Sequence, residues 1–137
     1  GEMLTLKQLN LPVKIFVFNN EELSFIAMEM KASGYLDYAT DFVNPDFGKL
    51  AEAAGIKGVS IQNSSEVDEK IMEALNHNGP VIVNVRVDKQ ELAMPPKIAY
   101  QQAKGFSKYL INAILDGRGT ELKEMAKTNW MKYKSLY

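Results

Sequence analysis

Three short runs of apolar, β-branched or aromatic residues divide the first part of the chain, and segments with helical periodicity separate them. The runs are Lys14–Phe18, Gly58–Ile61 and Val81–Val87, of which the last is the strongest strand signal. In the first run the apolar residues do not alternate with polar ones, which is typical of a strand covered on both faces. Strands that alternate with helices predict right-handed crossovers. We therefore expect an α/β fold, a parallel sheet with flanking helices.

Residue types that begin and end helices mark the segments between these runs. The first helix is predicted from Glu21 to about Lys31, because glutamates are favourable at the positive end of a helix. Residues 33–43 are predicted to be irregular. The signals for two further helices are Asn44-Pro45 as a start, Gly55 as an end, and Ser65 with Asp68 as a capping box.

The character of the chain changes at about residue 90. Residues 1–90 are predicted to hold the sheet, and residues 91–137 to be a linker followed by a helical C-terminal segment. The linker contains Met94-Pro95-Pro96, one helix face is marked by Phe106, Tyr109, Leu110, Ala113 and Ile114, and a last helix starts at Thr120. Helical spacing begins at Met3 with no capping residue before it, which favours a fragment of a longer, N-terminally truncated protein.

Composition excludes several kinds of site. The chain has no cysteine and one histidine, so disulfides, thiolate zinc sites, cysteine nucleophiles and multi-histidine metal sites are excluded. The 16 basic and 17 acidic side chains give a net charge of −1, which argues against a nucleic-acid partner. No apolar run is long enough for a membrane span and no signal peptide is recognisable, so we expect a cytoplasmic chain.

Three groups of charged residues are weak candidates for chemistry. His77 lies near no serine or aspartate pattern that would form a triad, and we interpret it as a residue at a helix end. The glycines beside Arg118 separate two helices rather than a strand and a helix, which favours a hinge over a phosphate loop. Glu21 and Glu22 are adjacent, so their side chains diverge by about 100° on a helix, which favours electrostatic support of a helix start.

Asn19-Asn20 is the more informative pair. It directly follows the first strand, and ligands of open parallel sheets lie beyond the C-terminal ends of the strands. An asparagine oxygen is a neutral, hard ligand that suits Mg²⁺. Asparagine also tolerates left-handed backbone conformations and commonly ends strands. From the residues alone, both interpretations stay open.

A family resemblance rests on segments spread along the whole chain. Leu11–Asn20 followed by Leu23–Lys31 resembles the second half of a thiamine-diphosphate-binding motif, which runs from Gly-Asp-Gly to Asn-Asn. More narrowly, the chain is similar to the C-terminal region of bacterial quinone-linked pyruvate dehydrogenases (pyruvate oxidases). The segments that carry this second resemblance are Ala27–Ala32, Lys89–Ala93, Gln102–Ser107, Gly117–Gly119 and Ala126–Trp130.

This resemblance implies a flavoprotein that uses thiamine diphosphate, Mg²⁺ and FAD. Its members decarboxylate pyruvate to acetate and CO₂ and pass electrons to ubiquinone in the membrane. By position, Asn20 and the backbone carbonyl of Glu22 resemble Mg²⁺ ligands. The segment expected to line the diphosphate and thiazolium consists of Asn20, Glu21, Glu22, Leu23, Ser24, Phe25 and Ile26.

Within this cofactor segment, Phe25 resembles a catalytic aromatic residue that lies between thiamine and flavin and helps electron transfer. Two departures from the family pattern matter. The Gly-Asp-Gly half, with its aspartate ligand, is absent from this sequence, and Ser24 stands where glycine is common. The resemblance places most of the FAD site in other domains.

The end of the chain has its own charge pattern. Residues 118–137 carry five basic and two acidic side chains, whereas residues 1–117 carry 11 basic and 15 acidic ones. A helical wheel places these apolar residues on one side: Leu122, Met125, Ala126, Trp130, Tyr133, Leu136 and Tyr137. Such a helix is typical of membrane surfaces, with packing on its own domain as the alternative. Since the resemblance also implies lipid binding here, we expect a peripheral protein on the inner face of the cell membrane.

Other functions remain open at this stage. One is another thiamine-diphosphate enzyme, such as an acetolactate synthase. The other is a non-catalytic module for membrane attachment. The resemblance implies a homo-oligomer, a tetramer, for the full-length enzyme, and we expect the isolated chain to be inactive.

Overall fold

A computed structural model describes residues 1–89 and 99–135, with side chains described as far as Met131. The predicted linker at Met94-Pro95-Pro96, and the side chains of Tyr133, Leu136 and Tyr137, lie outside the described residues. Three strands are present: β1 (Lys14–Asn19), β2 (Lys57–Ile61) and β3 (Val81–Arg86). The helices are α1 (Glu2–Gln8), α2 (Ser24–Ala32), α3 (Phe47–Ala53), α4 (Val67–Asn76), α5 (Tyr100–Leu115) and α6 (Gly119–Ser135), with a short 3₁₀ helix at Ser64–Glu66.

The chain divides into two compact units. The sheet unit comprises residues 1–20 and 43–87, and the helical unit comprises residues 21–42 and the described part of 88–137. In the sheet unit all strands are parallel and the order is β1-β3-β2, with Lys14 and Lys57 both in register with Val81. The predicted α/β fold, a small parallel sheet with flanking helices, is therefore confirmed.

The central strand β3 separates two apolar layers of the sheet unit, because successive side chains point to opposite faces. Val81 and Val83 are fully buried in one layer, which also contains Ala74 of α4. Ile82 belongs to the other layer, packed with Ala51 of α3 and with Ile56. Two glycines bring α3 close to β2: a Cβ on Gly58 would lie 2.0 Å from the Gly48 carbonyl oxygen.

The helical unit is built from α2, α5 and α6. Its core contains three buried residues, Tyr109 and Ala113 of α5 and Met125 of α6, with partly buried apolar neighbours at Leu36, Phe106, Leu110 and Leu122. Gly105 lets α5 approach α2, since a Cβ there would lie 1.8 Å from the carbonyl oxygen of Ala32. Ile114, which the helix pattern placed on the inner face, is 64% exposed. No helix of the described residues is long and apolar enough to cross a membrane.

The strand predictions are confirmed, whereas three helix starts differ from prediction. Helix α2 begins at Ser24, so Glu21 and Glu22 precede it, and Glu21 has a left-handed backbone with φ of 56°. Helix α3 is capped by Asp46 rather than Asn44, because the Asp46 carboxylate accepts hydrogen bonds from the N–H groups of Gly48 and Lys49. The predicted capping box at Ser65 is also wrong. The capping box in the structure is formed by Asn63 and Glu66, at the start of the 3₁₀ helix that precedes α4.

Candidate functional site

Asn19 ends β1 as a buried residue whose side chain and backbone carbonyl are hydrogen-bonded inside the sheet unit. Its side-chain amide donates to Oδ1 of Asn84 at 3.2 Å, and its Oδ1 accepts from the side-chain amide of Asn44 at 2.8 Å. Its backbone carbonyl accepts from the N–H of Val87 at 3.1 Å. The side chain of Asn19 is thus held inside the protein. The next residue, Asn20, is partly buried. Of the two asparagines, Asn20 is therefore the candidate ligand at the end of the strand.

Further polar groups of the sheet unit surround the start of α3. The carboxylate of Asp46 accepts from the hydroxyl of Ser60 at 2.6 Å, and from the backbone N–H groups of Gly48 and Lys49. The hydrogen bond from Ser60 is the largest cause that lowers the pKa of Asp46, and the two backbone donors act in the same direction. Asp46 therefore stays ionised as a helix cap, and it has a structural rather than a catalytic role.

The rest of the predicted cofactor segment, Glu21 to Ile26, lies in the helical unit. Glu22 forms an isolated antiparallel bridge with Asp41, made by Leu23 N–H donating to the Thr40 carbonyl and Phe42 N–H donating to the Glu21 carbonyl. In such a bridge the N–H and C=O of the central residue point away from the opposite strand. Neither hydrogen bond of the bridge uses the Glu22 carbonyl. It is directed to the side opposite residues 40–42.

These oxygen atoms are chemically suited to Mg²⁺. An amide oxygen from Asn20 and the backbone carbonyl of Glu22 are hard, neutral ligands, and Mg²⁺ is usually held by few protein ligands together with phosphate oxygens. Across residues 1–89 and the described helices α5 and α6, no group of three or more histidines or carboxylates could hold a metal. A Mg²⁺ ion held by either oxygen therefore needs further oxygen ligands, of the kind that phosphate groups supply.

Leu23 to Ile26 form the start of α2. Leu23 is the N-cap residue, Ser24 is the first residue of the helix, and Phe25 and Ile26 follow. The Phe25 side chain is 73% exposed, and those of Leu23 and Ile26 are about half exposed. Phe25 is therefore not part of the apolar core formed by the described residues of the helical unit. An exposed aromatic ring at a helix start is available for contact with a planar ligand.

The carboxylate of Glu22 faces a charged depression of the helical unit with a volume of about 210 Å³. The residues that line it are Glu22, Asp37, Asp41, Lys89, Arg118, Glu121 and Glu124. Burial is the main cause that raises the pKa of Glu22; Lys31 opposes this effect, and the carboxylates of Asp41 and Asp37 reinforce it. Glu22 is thus a more basic carboxylate than an exposed glutamate.

A buried lysine lies in the same unit. Lys31 Nζ is 3.9 Å from Asp37 and 3.8 Å from Glu121, and it lies 5.7 Å from the centre of the Tyr109 ring. The Tyr109 hydroxyl is buried without a hydrogen-bond partner among the described residues, and burial raises its pKa. Sequence reasoning missed this group, because nothing in the local pattern marks Lys31 as buried.

The remaining candidates have structural roles. His77 is the exposed C-cap residue that follows α4, and its backbone carbonyl accepts a hydrogen bond from the Lys14 side chain. Arg118 lies between α5 and α6, next to Gly117 with φ of 79°, and it pairs with Asp116 at 2.9 Å and Asp37 at 3.4 Å. The predicted break between two helices at this position is confirmed, and the hinge stays a prediction.

A parallel sheet that presents paired asparagines at the end of β1 defines a class of cofactor-binding domain, and comparison with known families identifies that class. Residues 1–85 match the C-terminal thiamine pyrophosphate-binding domain of thiamine pyrophosphate enzymes, and the chain belongs to this family. It is 34% identical over 127 residues, 93% of its length, to YdaP of Bacillus subtilis, which is named as a thiamine pyrophosphate-containing protein.

Named enzymes are also among the relatives. The chain is 38% identical over 95 residues, 69% of its length, to the mitochondrial acetolactate synthase catalytic subunit of Saccharomyces cerevisiae. It is 31% identical over 96 residues to the large subunit of acetolactate synthase isozyme 2 of Escherichia coli. It spans 22% of the length of YdaP, and 14% and 18% of these two synthases. The predicted thiamine-diphosphate family is confirmed, whereas the narrower resemblance to quinone-linked pyruvate dehydrogenases stays a prediction.

Proposed function

We propose that this chain forms the C-terminal part of a thiamine-diphosphate-dependent enzyme that decarboxylates pyruvate. The observation that carries the proposal is the position of Asn20 directly after β1, in a domain of this cofactor-binding family. When bound, thiamine diphosphate supplies the carbanion-stabilising centre for removal of CO₂ from a 2-keto acid. The protein binds, orients and shields that centre.

Within this chain we assign Mg²⁺ binding to the Asn20 side chain and the Glu22 carbonyl. Glu21, Leu23, Ser24 and Ile26 would line the diphosphate and thiazolium. We assign Phe25 to contact with the cofactor or with a neighbouring flavin, because its ring is exposed at the start of α2. If the enzyme is a quinone-linked pyruvate dehydrogenase, we also propose that it binds FAD, reduces ubiquinone and forms a homotetramer. These properties depend largely on regions outside this chain.

Two fates of the decarboxylated pyruvate have support. Acetolactate synthesis comes first, since it is the named activity of relatives such as the yeast and Escherichia coli synthases. It joins the two-carbon fragment to a second pyruvate without net redox change. Quinone-linked oxidation to acetate comes second. Its support is the resemblance carried by segments between Gln102 and Trp130.

Product analysis of the complete polypeptide tests the proposal. The protein is incubated with pyruvate, Mg²⁺, thiamine diphosphate and FAD, with and without a soluble electron-accepting dye. Acetolactate formed without dye reduction supports the first fate, and acetate formed in step with dye reduction supports the second. Absence of CO₂ release by protein that has bound thiamine diphosphate would refute the decarboxylase proposal.

Helix α6 also supports a proposal about location. Met125 is buried and Leu122 partly buried against α5, whereas Trp130 and Met131 near the end are 65% and 55% exposed. We propose that this exposed end contacts anionic lipid, which makes the enzyme a cytoplasmic, peripheral protein of the inner face of the cell membrane. If the protein binds lipid but no cofactor, the alternative function, a non-catalytic module for membrane attachment, is supported instead.

Replacing Trp130 with alanine is expected to reduce binding to anionic vesicles on the order of tenfold, because a large apolar side chain no longer leaves water. The measurement is co-sedimentation with phosphatidylglycerol-containing liposomes. Tyr38→Ala is the matched control, since Tyr38 is an exposed aromatic residue outside α6, with 83% of its surface accessible. Equal sedimentation of wild type and Trp130→Ala would refute a lipid contact by α6.

A further inference from the structure

Asn84 is a polar residue in the middle of the most apolar strand. It lies on the central strand β3, in register with Val17 of β1 and Ser60 of β2, and it is 3% exposed. It faces the same side of the sheet as Ile82, which is packed in the apolar layer under α3. A buried amide costs free energy unless it is hydrogen-bonded, so this position is informative about its partner.

That partner is Asn19. The Asn19 amide donates to Oδ1 of Asn84, and the Asn44 amide donates to Oδ1 of Asn19, so three asparagine side chains form one chain of hydrogen bonds. All three belong to the sheet unit. The carbonyl of Asn19 is also held, by the N–H of Val87. Asn19 is therefore fixed through both its side chain and its backbone.

We propose that Asn84 is a positioning residue that fixes Asn20 for Mg²⁺ binding through Asn19. This inference rests on the proposed function, in which Asn20 supplies a metal-binding oxygen. One planar peptide bond joins the two asparagines, so a shift in the backbone of Asn19 also moves the Cα from which the Asn20 side chain extends. Removing the acceptor at residue 84 leaves the Asn19 amide unpaired in a buried place. The end of β1 must then shift to regain a partner.

The expected effect is on metal binding more than on folding. Partners that orient metal ligands typically change metal affinity by about 10- to 100-fold when they are removed. Asn84→Leu removes the acceptor while keeping the branching of the side chain at Cγ, whereas Asn84→Asp keeps an acceptor at the same place. Ile82→Val is the matched control, because it removes one methyl group from the same face of β3 and leaves the hydrogen bonds of Asn19 unchanged.

The experiment measures the Mg²⁺ concentration that half-saturates thiamine diphosphate binding in the complete polypeptide, by calorimetry, with the melting temperature recorded for each variant. Asn84→Leu is expected to raise this concentration at least tenfold. Asn84→Asp should stay within about threefold of wild type or bind Mg²⁺ more tightly, since a nearby carboxylate attracts the cation. Ile82→Val should lower the melting temperature and leave Mg²⁺ binding unchanged.

Each other outcome overturns the inference. A folded Asn84→Leu variant with Mg²⁺ half-saturation within twofold of wild type excludes positioning by Asn84 while the proposed function stands. An equal loss in Ile82→Val shows a general effect of strand packing. If wild type itself shows no Mg²⁺-dependent thiamine diphosphate binding, the proposed function fails, and this inference fails with it.

A second variant covers the case in which Asn84→Leu does not fold. Asn44 is only partly buried and lies in a loop, so Asn44→Ala removes the donor to Asn19 Oδ1 at smaller cost to the core. The same positioning argument predicts a rise of severalfold in the half-saturating Mg²⁺ concentration. Unchanged Mg²⁺ binding in a folded Asn44→Ala variant overturns the inference equally.

Discussion

Asn20→Ala in the complete polypeptide is expected to weaken Mg²⁺-dependent thiamine diphosphate binding by about 100-fold, with FAD still bound. The substitution removes the oxygen that the proposed function assigns to Mg²⁺, and the side chain of the adjacent Asn19 is already held by Asn84 and Asn44. The measurement is calorimetric titration at limiting Mg²⁺, accompanied by the flavin absorbance spectrum.

Asn76→Ala is the control for this prediction. Asn76 is an exposed asparagine at the end of α4, so the same chemical change there should leave cofactor binding intact. A variant Asn20→Ala that keeps wild-type activity at limiting Mg²⁺ and thiamine diphosphate would show that Asn20 is not a ligand. A parallel loss of FAD would show instead that the substitution disrupts the fold.

Gly105→Ala is expected to destabilise the helical unit by about 3 kcal/mol, the upper part of the usual range for overpacking. A Cβ at residue 105 would lie 1.8 Å from the backbone carbonyl oxygen of Ala32, and α2 and α5 must separate to accept it. The gain in helix propensity from glycine to alanine is at most about 1 kcal/mol and does not offset this clash. The measurements are thermal unfolding and amide hydrogen exchange over residues 100–115.

Gly119→Ala provides the matched comparison. Gly119 is the first residue of α6, and a Cβ there has no heavy atom within 4 Å. This substitution should leave stability unchanged or raise it slightly, through the same helix propensity. Gly105→Ala with wild-type stability and wild-type exchange in α5 would contradict the close approach of the two helices.

The sheet follows from the sequence more readily than the helix ends do. Continuous apolar runs identify strands because both faces of a parallel sheet are covered. The predicted start of α3 is wrong, because Asn44 and Asp46 are both residue types that commonly cap helices, and the local sequence does not distinguish them. Asp46 is stabilised by the hydroxyl of Ser60, on a strand that the chain reaches only later. Such a contact becomes visible only when the strands are assembled.

Prediction of the candidate site is limited in the same way, because contacts between distant segments of the chain are not visible in the local sequence. Asn20 could be proposed from its place after β1 and from the motif, since both are local. The role of Asn84 could not, because its contact with Asn19 depends on the register that pairs Lys14 with Val81. The sequence likewise predicts Lys31 only as a helix residue, whereas in the structure its ammonium group is buried between Asp37 and Glu121.

The strand order has a consequence for the synthesis of the protein. Strands β1 and β2 both pair with β3, which is the last of the three to leave the ribosome. Until Val81–Arg86 has emerged, the earlier strands have no neighbour within the described sheet, and Ile15–Phe18 is an apolar segment with open hydrogen-bonding edges. The three-stranded sheet of the described residues can therefore form only after β3 has emerged, and the β1 segment has no β3 partner until then.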